Sequence, residues 1–309
     1  MDIADPPTQA EPHQNGAGRR SQRLTELLAQ CAECGASAPV TAMRLLMEAD
    51  SPELAHAALR RSAPGGADSR QHLERVAALI ARHPTGWATV RAVARAARHE
   101  PARQGAVAHW SALFDQLVRI SPEASVALYS LGSPSLLARA TEEIVALTCE
   151  WGLLCPAPTV LDIGCGIGRL EAALAPCARA ITGLDVSPAM IAEARIRHGV
   201  LDNVRFEISD GAELTGIDDH SIDLVTLVDT FPYLFLSEND LPERQLLEAA
   251  RVLRGGGSLL ILNVSDRGDP EADRTDLQRL AGRAGLNMMR WEPRPFSIWD
   301  APAVQLTKG

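Results

Sequence analysis

The sequence contains a single lysine, Lys308, few aromatic residues, and no apolar run that approaches the ~18 residues of a membrane-spanning helix. With 39 acidic and 30 basic side chains, the chain has a formal net charge of −9. No overall positive field therefore attracts it to nucleic acid or to an anionic membrane surface. We expect neither a nucleic acid nor a membrane as its partner.

The six cysteines form no recognisable metal-binding framework. Cys31 and Cys34 have the spacing of half a zinc site, but no second pair with ligand spacing follows them. The first residues are polar and acidic and lack the apolar core of a signal peptide. These features predict a cytoplasmic protein with reduced thiols and no bound metal.

The first part of the chain divides into a polar tail and a helical region. Residues 1–20 are rich in Pro, Gln and acids without periodicity, which predicts a disordered tail. Residues 21–130 carry apolar side chains at helical spacing and predict a helical domain. A helical solenoid is disfavoured because no motif repeats at a fixed period. A DNA-binding helix-turn-helix over residues 39–61 is disfavoured because its second helix offers little besides Arg60 and Arg61 to base edges.

Strands alternate with helices in the second part of the chain, residues 131–309. This alternation is typical of a parallel sheet covered by helices on both faces. The strands are predicted at 159–163, 181–185, 204–208, 223–228, 258–263, 287–292 and 302–307. The helices between them are predicted at 168–176, 188–198, 242–252 and 272–284.

A glycine-rich turn follows the first of these strands, in the segment VLDIGCGIGRL over residues 160–170. Gly164, Gly166 and Gly168 allow positive φ angles and let the backbone come close to a ligand. The Gly-x-Gly-x-Gly spacing differs from the Gly-x-Gly-x-x-Gly pattern of dinucleotide-binding proteins, because position 169 is Arg. The lysine of a Walker A loop is also absent from the segment.

The segment from Asp162 to Gly168, DIGCGIG, resembles motif I of class I S-adenosylmethionine (SAM) dependent methyltransferases. The stretch RVLRGGG over residues 251–257 is similar to another motif of that family. The resemblance covers residues 130–309 and implies a Rossmann-like sheet of seven strands whose last strand is antiparallel. It implies SAM as the cofactor and leaves the all-α N-terminal domain unexplained.

The resemblance also implies which residues contact the cofactor. Asp185, at the end of the second strand, is expected to bind the ribose hydroxyls. Asp162 would hold the glycine turn, and Asp210 would accept a hydrogen bond from the adenine amino group. Tyr129 is expected either to reach the methionine end of SAM or to pack at the domain junction. The residues implied to bind SAM are Tyr129, Asp162, Gly164, Cys165, Gly166, Gly168, Asp185, Val186, Asp210, Gly211, Ala212 and Val228.

Three residues are candidates for the catalytic face. Asp229 and Tyr233 follow the fourth strand, where the family places the transferring methyl group. Asp229 is a candidate base toward a hydroxyl or amine, or simply a capping acid. His109 is a candidate base above the acceptor pocket, or a surface histidine. Methyl transfer depends mainly on alignment, so a dedicated base is optional.

The sequence thus predicts methyl transfer to O or N of a small molecule or peptide in secondary metabolism. The helical domain over residues 21–130, called the helical front below, would serve as the acceptor pocket, as a lid, or as the interface of a homodimer. Two alternatives use the same fold: a cyclase or pericyclase that exploits the charge of the sulfonium, and a catalytically silent SAM-binding partner subunit. A nucleic-acid methyltransferase is less favoured, because residues 229–233 lack the Pro-Pro-aromatic pattern of base methylation.

Overall fold

A computed structural model describes residues 14–62, 66–97, 106–237 and 240–309. The sequence predicts a disordered tail over residues 1–20, of which residues 1–13 lie outside the described residues. Residues 14–20 are helical, because they belong to the first helix, α1, which spans Gln14–Glu33. This correction has a physical basis in a contact with a later part of the chain: the Arg20 guanidinium of α1 forms an ion pair of 2.6 Å with Asp50, in the connection between the next two helices.

Seven further helices precede the sheet within the described segments. They are α2 (Ala38–Glu48), α3 (Pro52–Arg61), α4 (Ala67–Arg82), α5 (Gly86–Ala96), α6 (Ala106–Ile120), α7 (Pro122–Val126) and α8 (Pro134–Glu150). Helices α3, α7 and α8 begin at Ser-Pro pairs. The hydroxyls of Ser51, Ser121 and Ser133 each accept a hydrogen bond from a first-turn N–H group. Serine therefore caps a free donor while the following proline, which has none, starts the helix.

Seven strands form one sheet, as the alternation in the sequence predicts. They are β1 (Thr159–Ile163), β2 (Ala180–Asp185), β3 (Val204–Ile208), β4 (Ile222–Val228), β5 (Leu253–Leu262), β6 (Leu286–Glu292) and β7 (Ala303–Lys308). The helices between them are α9 (Arg169–Leu174), α10 (Pro188–His198), α11 (Phe231–Phe235), α12 (Leu241–Val252) and α13 (Pro270–Arg283).

The strand order is β3-β2-β1-β4-β5-β7-β6, and β7 runs antiparallel to both β5 and β6. The fold class and the antiparallel last strand predicted from the sequence are confirmed. From β1 the chain builds the sheet in one direction, and from β4 in the other. Such a reversal leaves a crevice at the carboxyl ends of the two central strands, where ligands bind in sheets of this kind.

The helical front and the sheet share one hydrophobic core. A cluster of buried side chains joins Val40 of α2 and Val118 of α6 to Leu137 of α8 and Val160 of β1. The other face of the sheet packs on α12 and α13. The helical front is therefore packed directly against the sheet.

The β6–β7 connection also fastens the front to the sheet. The Asp300 carboxylate accepts hydrogen bonds of 2.9 and 3.2 Å from the backbone N–H of Ser37, just before α2. The hydroxyl of Ser37 donates to the carbonyl oxygen of Ile298 at 3.1 Å. None of the helices in the described segments is both long and apolar enough to cross a membrane.

Candidate functional site

A cavity of about 250 Å³ lies where β1, β2 and β4 end. Two thirds of the sequence-predicted site residues line it, together with apolar side chains of α5, α6 and α7. The predicted residues at its wall are Asp162, Gly164, Cys165, Gly166, Asp185, Val186, Gly211, Val228, Asp229 and Tyr233. The other predicted residues, Tyr129, Gly168, Asp210, Ala212 and His109, do not line the cavity.

The glycine turn exposes its backbone to the cavity. Gly164 and Gly166 have φ angles of 83° and 54°, a region in which L-residues are strained. A Cβ atom at Gly166 would lie 2.6 Å from Cγ1 of Val126, on α7 above the turn. Gly168 does not face the cavity but allows the turn to pack closely against Phe206, because a Cβ at Gly168 would lie 2.7 Å from the ring of Phe206.

Asp185 ties the glycine turn to the start of α10. One carboxylate oxygen accepts a hydrogen bond of 2.9 Å from the N–H of Gly166, and the other accepts one of 2.8 Å from the N–H of Ser187. Burial raises the pKa of Asp185 to about 6, against these two hydrogen bonds. A carboxylate at this strand end retains lone pairs that suit a vicinal diol.

Asp162 lies beneath the turn beside a second acid that the sequence did not single out. The hydroxyl of Thr226 donates to Asp162. Burial raises the pKa of Asp162, and burial with the charge of Asp162 raises that of Glu171 well above its usual value. Both Glu171 oxygens are buried and accept no hydrogen bond from an N–H group or hydroxyl of the described residues, so a hydrogen bond between the Asp162 and Glu171 carboxyl groups requires that one of them is protonated. The pair therefore favours a shared proton over two charges.

Arg169, which excluded the dinucleotide fingerprint in the sequence, lines the cavity. Its guanidinium donates to the Thr141 hydroxyl at 2.8 Å. Its positive charge lowers the pKa values of Asp162 and Asp229 against the effect of burial. Arg169 is thus a cation among buried acids. Its position directly after the last glycine of the turn is the feature of the sequence from which its place at the site could have been predicted.

Tyr129 lies behind the cavity wall. Its ring stacks on that of Trp299, with centroids 5.6 Å apart, so the stacking holds the side chain in the core. The hydroxyl is buried without a hydrogen-bond partner among the described residues, and burial raises its pKa to about 12. The stack on Trp299 accords with packing at the junction, and a contact of Tyr129 with the methionine end of SAM stays a prediction.

Asp210 is turned toward its own loop. Its carboxylate accepts hydrogen bonds of 2.9 and 3.0 Å from the N–H groups of Ala212 and Glu213, and these bonds lower its pKa. Asp210 and Ala212 are therefore absent from the cavity wall, whereas Gly211 contributes to it.

Gln245 of α12 occupies this end of the cavity, and sequence reasoning missed it. Its side-chain nitrogen donates to the carbonyl oxygens of Gly211 and Ala212 at 3.0 and 3.1 Å. Two carbonyl acceptors fix which end of the amide is nitrogen. The amide oxygen is buried and accepts no hydrogen bond from the part of the chain that is described. An orphaned buried acceptor in a cavity wall indicates a missing donor.

Asp229 and Tyr233 stand at the opposite end, after β4. Burial raises the pKa of Asp229 to about 7, and a hydrogen bond from Asn263 opposes that effect. The Tyr233 ring meets those of Trp110 and Phe114 edge-on, with centroids 5.0 and 5.1 Å apart. Burial also raises the pKa of Tyr233, which keeps its hydroxyl neutral.

Helix α6 supplies the apolar wall beside Asp229. Trp110, Leu113, Phe114 and Leu117 line the cavity at helical spacing. His109 is on the outer side of α6, exposed and edge-on to Trp110 at 4.9 Å. The predicted role of His109 as a base is therefore corrected, because the phase of the helix turns its ring away from the cavity.

Two polar contacts hold α6 across the end of β2. The Asp115 carboxylate accepts hydrogen bonds of 2.6 Å from the hydroxyl of Ser187 and 2.9 Å from the N–H of Ala189. The hydroxyl of Ser111 donates to the carbonyl oxygen of Val186 at 2.7 Å. The front thereby covers the cavity directly above Asp185.

Comparison with known proteins agrees with this geometry. Residues 161–261 match the family described as methyltransferase domain. The chain is 36% identical over 115 residues to the methyltransferase GfsG of Streptomyces halstedii, covering 35% of this chain and 38% of the relative. It is 32% identical over 155 residues to demethylmenaquinone methyltransferase of Clavibacter sepedonicus, covering 50% and 58%. The chain thus spans less than two thirds of the length of these relatives.

A similar structure is phosphoethanolamine N-methyltransferase 1 of Haemonchus contortus, with a TM-score of 0.52 and 17% identity over 67% of this chain and 49% of that one. At this identity the likeness concerns the fold. Residues 161–261 are thus similar to a methyltransferase domain, and the glycine turn and the Asp185 carboxylate lie within that segment. The cofactor that this match implies is S-adenosylmethionine.

Proposed function

We propose that the chain transfers a methyl group from SAM to an oxygen or nitrogen atom of an apolar small molecule. The observation that carries this proposal is one cavity with two unlike ends. One end presents the glycine turn, Asp185 and Gln245, and the other presents Asp229 within an aromatic wall.

The residues present fit SAM at the first end. The bare backbone at Gly164 and Gly166 admits the amino-acid part of the cofactor. Asp185 suits the ribose hydroxyls, and the orphaned oxygen of Gln245 suits the adenine amino group that Asp210 was expected to bind. When bound, SAM supplies an activated methyl group on a positively charged sulfur.

The second end supports an apolar acceptor. Trp110 and Phe114 of α6 meet Tyr233 there, while Ser111 and Asp115 of the same helix reach the first end. The helical front is therefore proposed to form the acceptor pocket. A cavity walled by Trp110, Phe114 and Tyr233 suits a compact ring better than an extended peptide. Asp229, with a pKa of about 7, is available to take a proton from a hydroxyl or amine near neutral pH.

The relatives guide the choice of acceptors to test. Two kinds act, by their names, on demethylmenaquinone and on a phytyl hydroquinone. A hydroxylated aromatic ring is therefore the first acceptor class to try. A role in secondary metabolism, a homodimer through the front helices and a cytoplasmic location stay predictions.

The test incubates the protein with SAM and three probes: a hydroquinone, a phenol and an aromatic amine. We expect S-adenosylhomocysteine and methylated product in equal amounts. A product without S-adenosylhomocysteine would instead favour the cyclase alternative. Tight SAM binding without turnover of any probe, or of a wider set of apolar acceptors, would favour a silent partner subunit.

A further inference from the structure

Asp229 and Asn263 follow the neighbouring strands β4 and β5 and adopt the same unusual backbone conformation. Their φ angles are 57° and 67°, in the left-handed region that non-glycine residues seldom occupy. The N–H of Asp229 donates to the carbonyl oxygen of Leu262 at 2.9 Å, and that of Asn263 donates to Pro302 at 3.0 Å. The ends of the sheet therefore hold both residues in place. Backbone strain that is fixed in this way is frequent at functional sites.

The side chain of Asn263 connects two acids. Its amide nitrogen donates to Oδ1 of Asp229 at 2.7 Å and to Oδ1 of Asp266 at 3.3 Å. Because both partners are carboxylates, the nitrogen of the amide must face them. Asn263 is only 9% exposed, so this arrangement lies in the protein interior and is not adopted at the surface. Oδ2 of Asp229 accepts no hydrogen bond from the described residues.

We propose that Asn263 is a positioning residue for the proposed methyl transfer. Its amide holds one oxygen of Asp229 and leaves the other available to the acceptor. This inference rests on the proposed function, since the role of Asp229 toward an acceptor is part of that function.

Charged and titratable groups reach Asp229 from several elements. Asp266, on the loop after β5, opposes its ionisation, whereas Arg169 at the start of α9 favours it. Tyr129, before α8, and Tyr233, in α11, are both influenced by the charge of Asp229. Removing the Asn263 amide and removing the Asp266 charge should therefore act on Asp229 in opposite directions.

The experiment titrates Asp229 directly. The full chain is labelled with ¹³C at the aspartate carboxyl carbons, and Asp229→Asn identifies the resonance. Asn263→Gly removes the amide, and glycine adopts a φ of 67° without strain. We expect its midpoint to rise by roughly one pH unit, because a hydrogen bond to the charged form is lost. We expect Asp266→Asn to lower the midpoint, and the exposed control Asp218→Asn to leave it unchanged.

A raised midpoint in Asn263→Gly is a readout that a purely structural role of Asn263 would not give. An unchanged or lowered midpoint in that variant would overturn the proposal. If Asn263→Gly does not fold, Asn263→Ala, which also lacks the amide donor, is titrated in its place with the same expected rise. Titration with S-adenosylhomocysteine distinguishes failure of the positioning role from failure of the proposed function. If it binds but the midpoints do not move, the positioning role alone fails. If it does not bind the unaltered protein, the proposed function fails, and the role of Asn263 in it fails as well.

Discussion

The side chain of Gln245 donates a hydrogen bond of 3.0 Å to the backbone carbonyl oxygen of Gly211, 34 residues earlier in the chain. This bond and its companion to Ala212 turn the amide so that its oxygen is left buried and unpaired within the described part of the chain. A buried acceptor in this state favours a ligand that brings an N–H donor.

Gln245 is therefore predicted to distinguish adenine from hypoxanthine. S-adenosylhomocysteine should bind the unaltered protein roughly tenfold more tightly than S-inosylhomocysteine, in which an oxygen replaces the amino group, because one hydrogen bond is worth ~1 kcal/mol or more. In Gln245→Leu this preference should fall to near unity, measured by calorimetric titration of both compounds. A preference that survives the substitution would show that another group binds the amino group.

Substitutions of two glycines separate backbone strain from occupation of the cavity. Gly166 and Gly256 have φ angles of 54° and 75°, but a Cβ meets Val126 at 2.6 Å only at Gly166 and open space at Gly256. Both alanine variants should lose ~1 kcal/mol of stability from the positive φ. Only Gly166→Ala should lose SAM binding, by at least about tenfold, because its methyl group enters the cavity wall. Equal affinities in the two variants would contradict this account of the glycine turn.

The raised pKa of Asp229 leads us to expect a particular pH dependence of the free energy of unfolding. Its pKa is about 7 in the folded chain, raised mainly by burial, against ~4 in an unfolded chain. Between these values the folded state binds more protons, so the contribution of Asp229 to stability is lost as the pH rises from ~4 to 7. Asp229→Asn removes this loss.

The melting temperature of Asp229→Asn should therefore rise relative to that of the unaltered protein between pH 5 and pH 8. The expected difference is on the order of 2 kcal/mol in unfolding free energy, measured by differential scanning calorimetry. Asp185, with a pKa of about 6, acts with the same sign in both proteins and cancels in the comparison. A difference that shrinks or reverses toward pH 8 would show that the Asp229 carboxylate is not destabilised by burial.

Asp115 should control how firmly α6 covers the cavity. Asp115→Ala removes the acceptor of two hydrogen bonds from the start of α10. We expect faster hydrogen exchange over residues 106–120 and a roughly three- to tenfold loss of affinity for S-adenosylhomocysteine. The exposed Asp218→Ala is the matched control. Unchanged exchange in α6 would mean that its apolar contacts alone hold it.

Local patterns predicted the sheet and the glycine turn because both are set by neighbouring residues. The alternation of apolar runs gave each of the seven strands to within a few residues, except that β5 begins earlier, at Leu253. The distance from Asp162 to Asp185 follows from one strand, one helix and the next strand, so the position of Asp185 at the cavity could also be predicted.

The remaining site residues depend on contacts between distant segments. Gln245 reaches the cavity because α12 packs beside the loop after β3. Asn263 reaches Asp229 because β5 ends beside β4. For α6 a signal was present: Trp110, Leu113, Phe114 and Leu117 share one face. Their spacing places His109 outside that face. The ring of Tyr129 stacks on that of Trp299, which lies far away in the sequence. The sequence alone could not predict this contact.

The central claim is that Asp185 and the glycine turn hold SAM in this cavity, and a calorimetric titration with SAM tests it most directly. We predict one site in the unaltered protein, a roughly ten- to hundredfold weaker site in Asp185→Asn, and an unchanged site in the exposed control Asp202→Asn. Equal affinity of Asp185→Asn and the unaltered protein, or no binding to the unaltered protein, would contradict the claim.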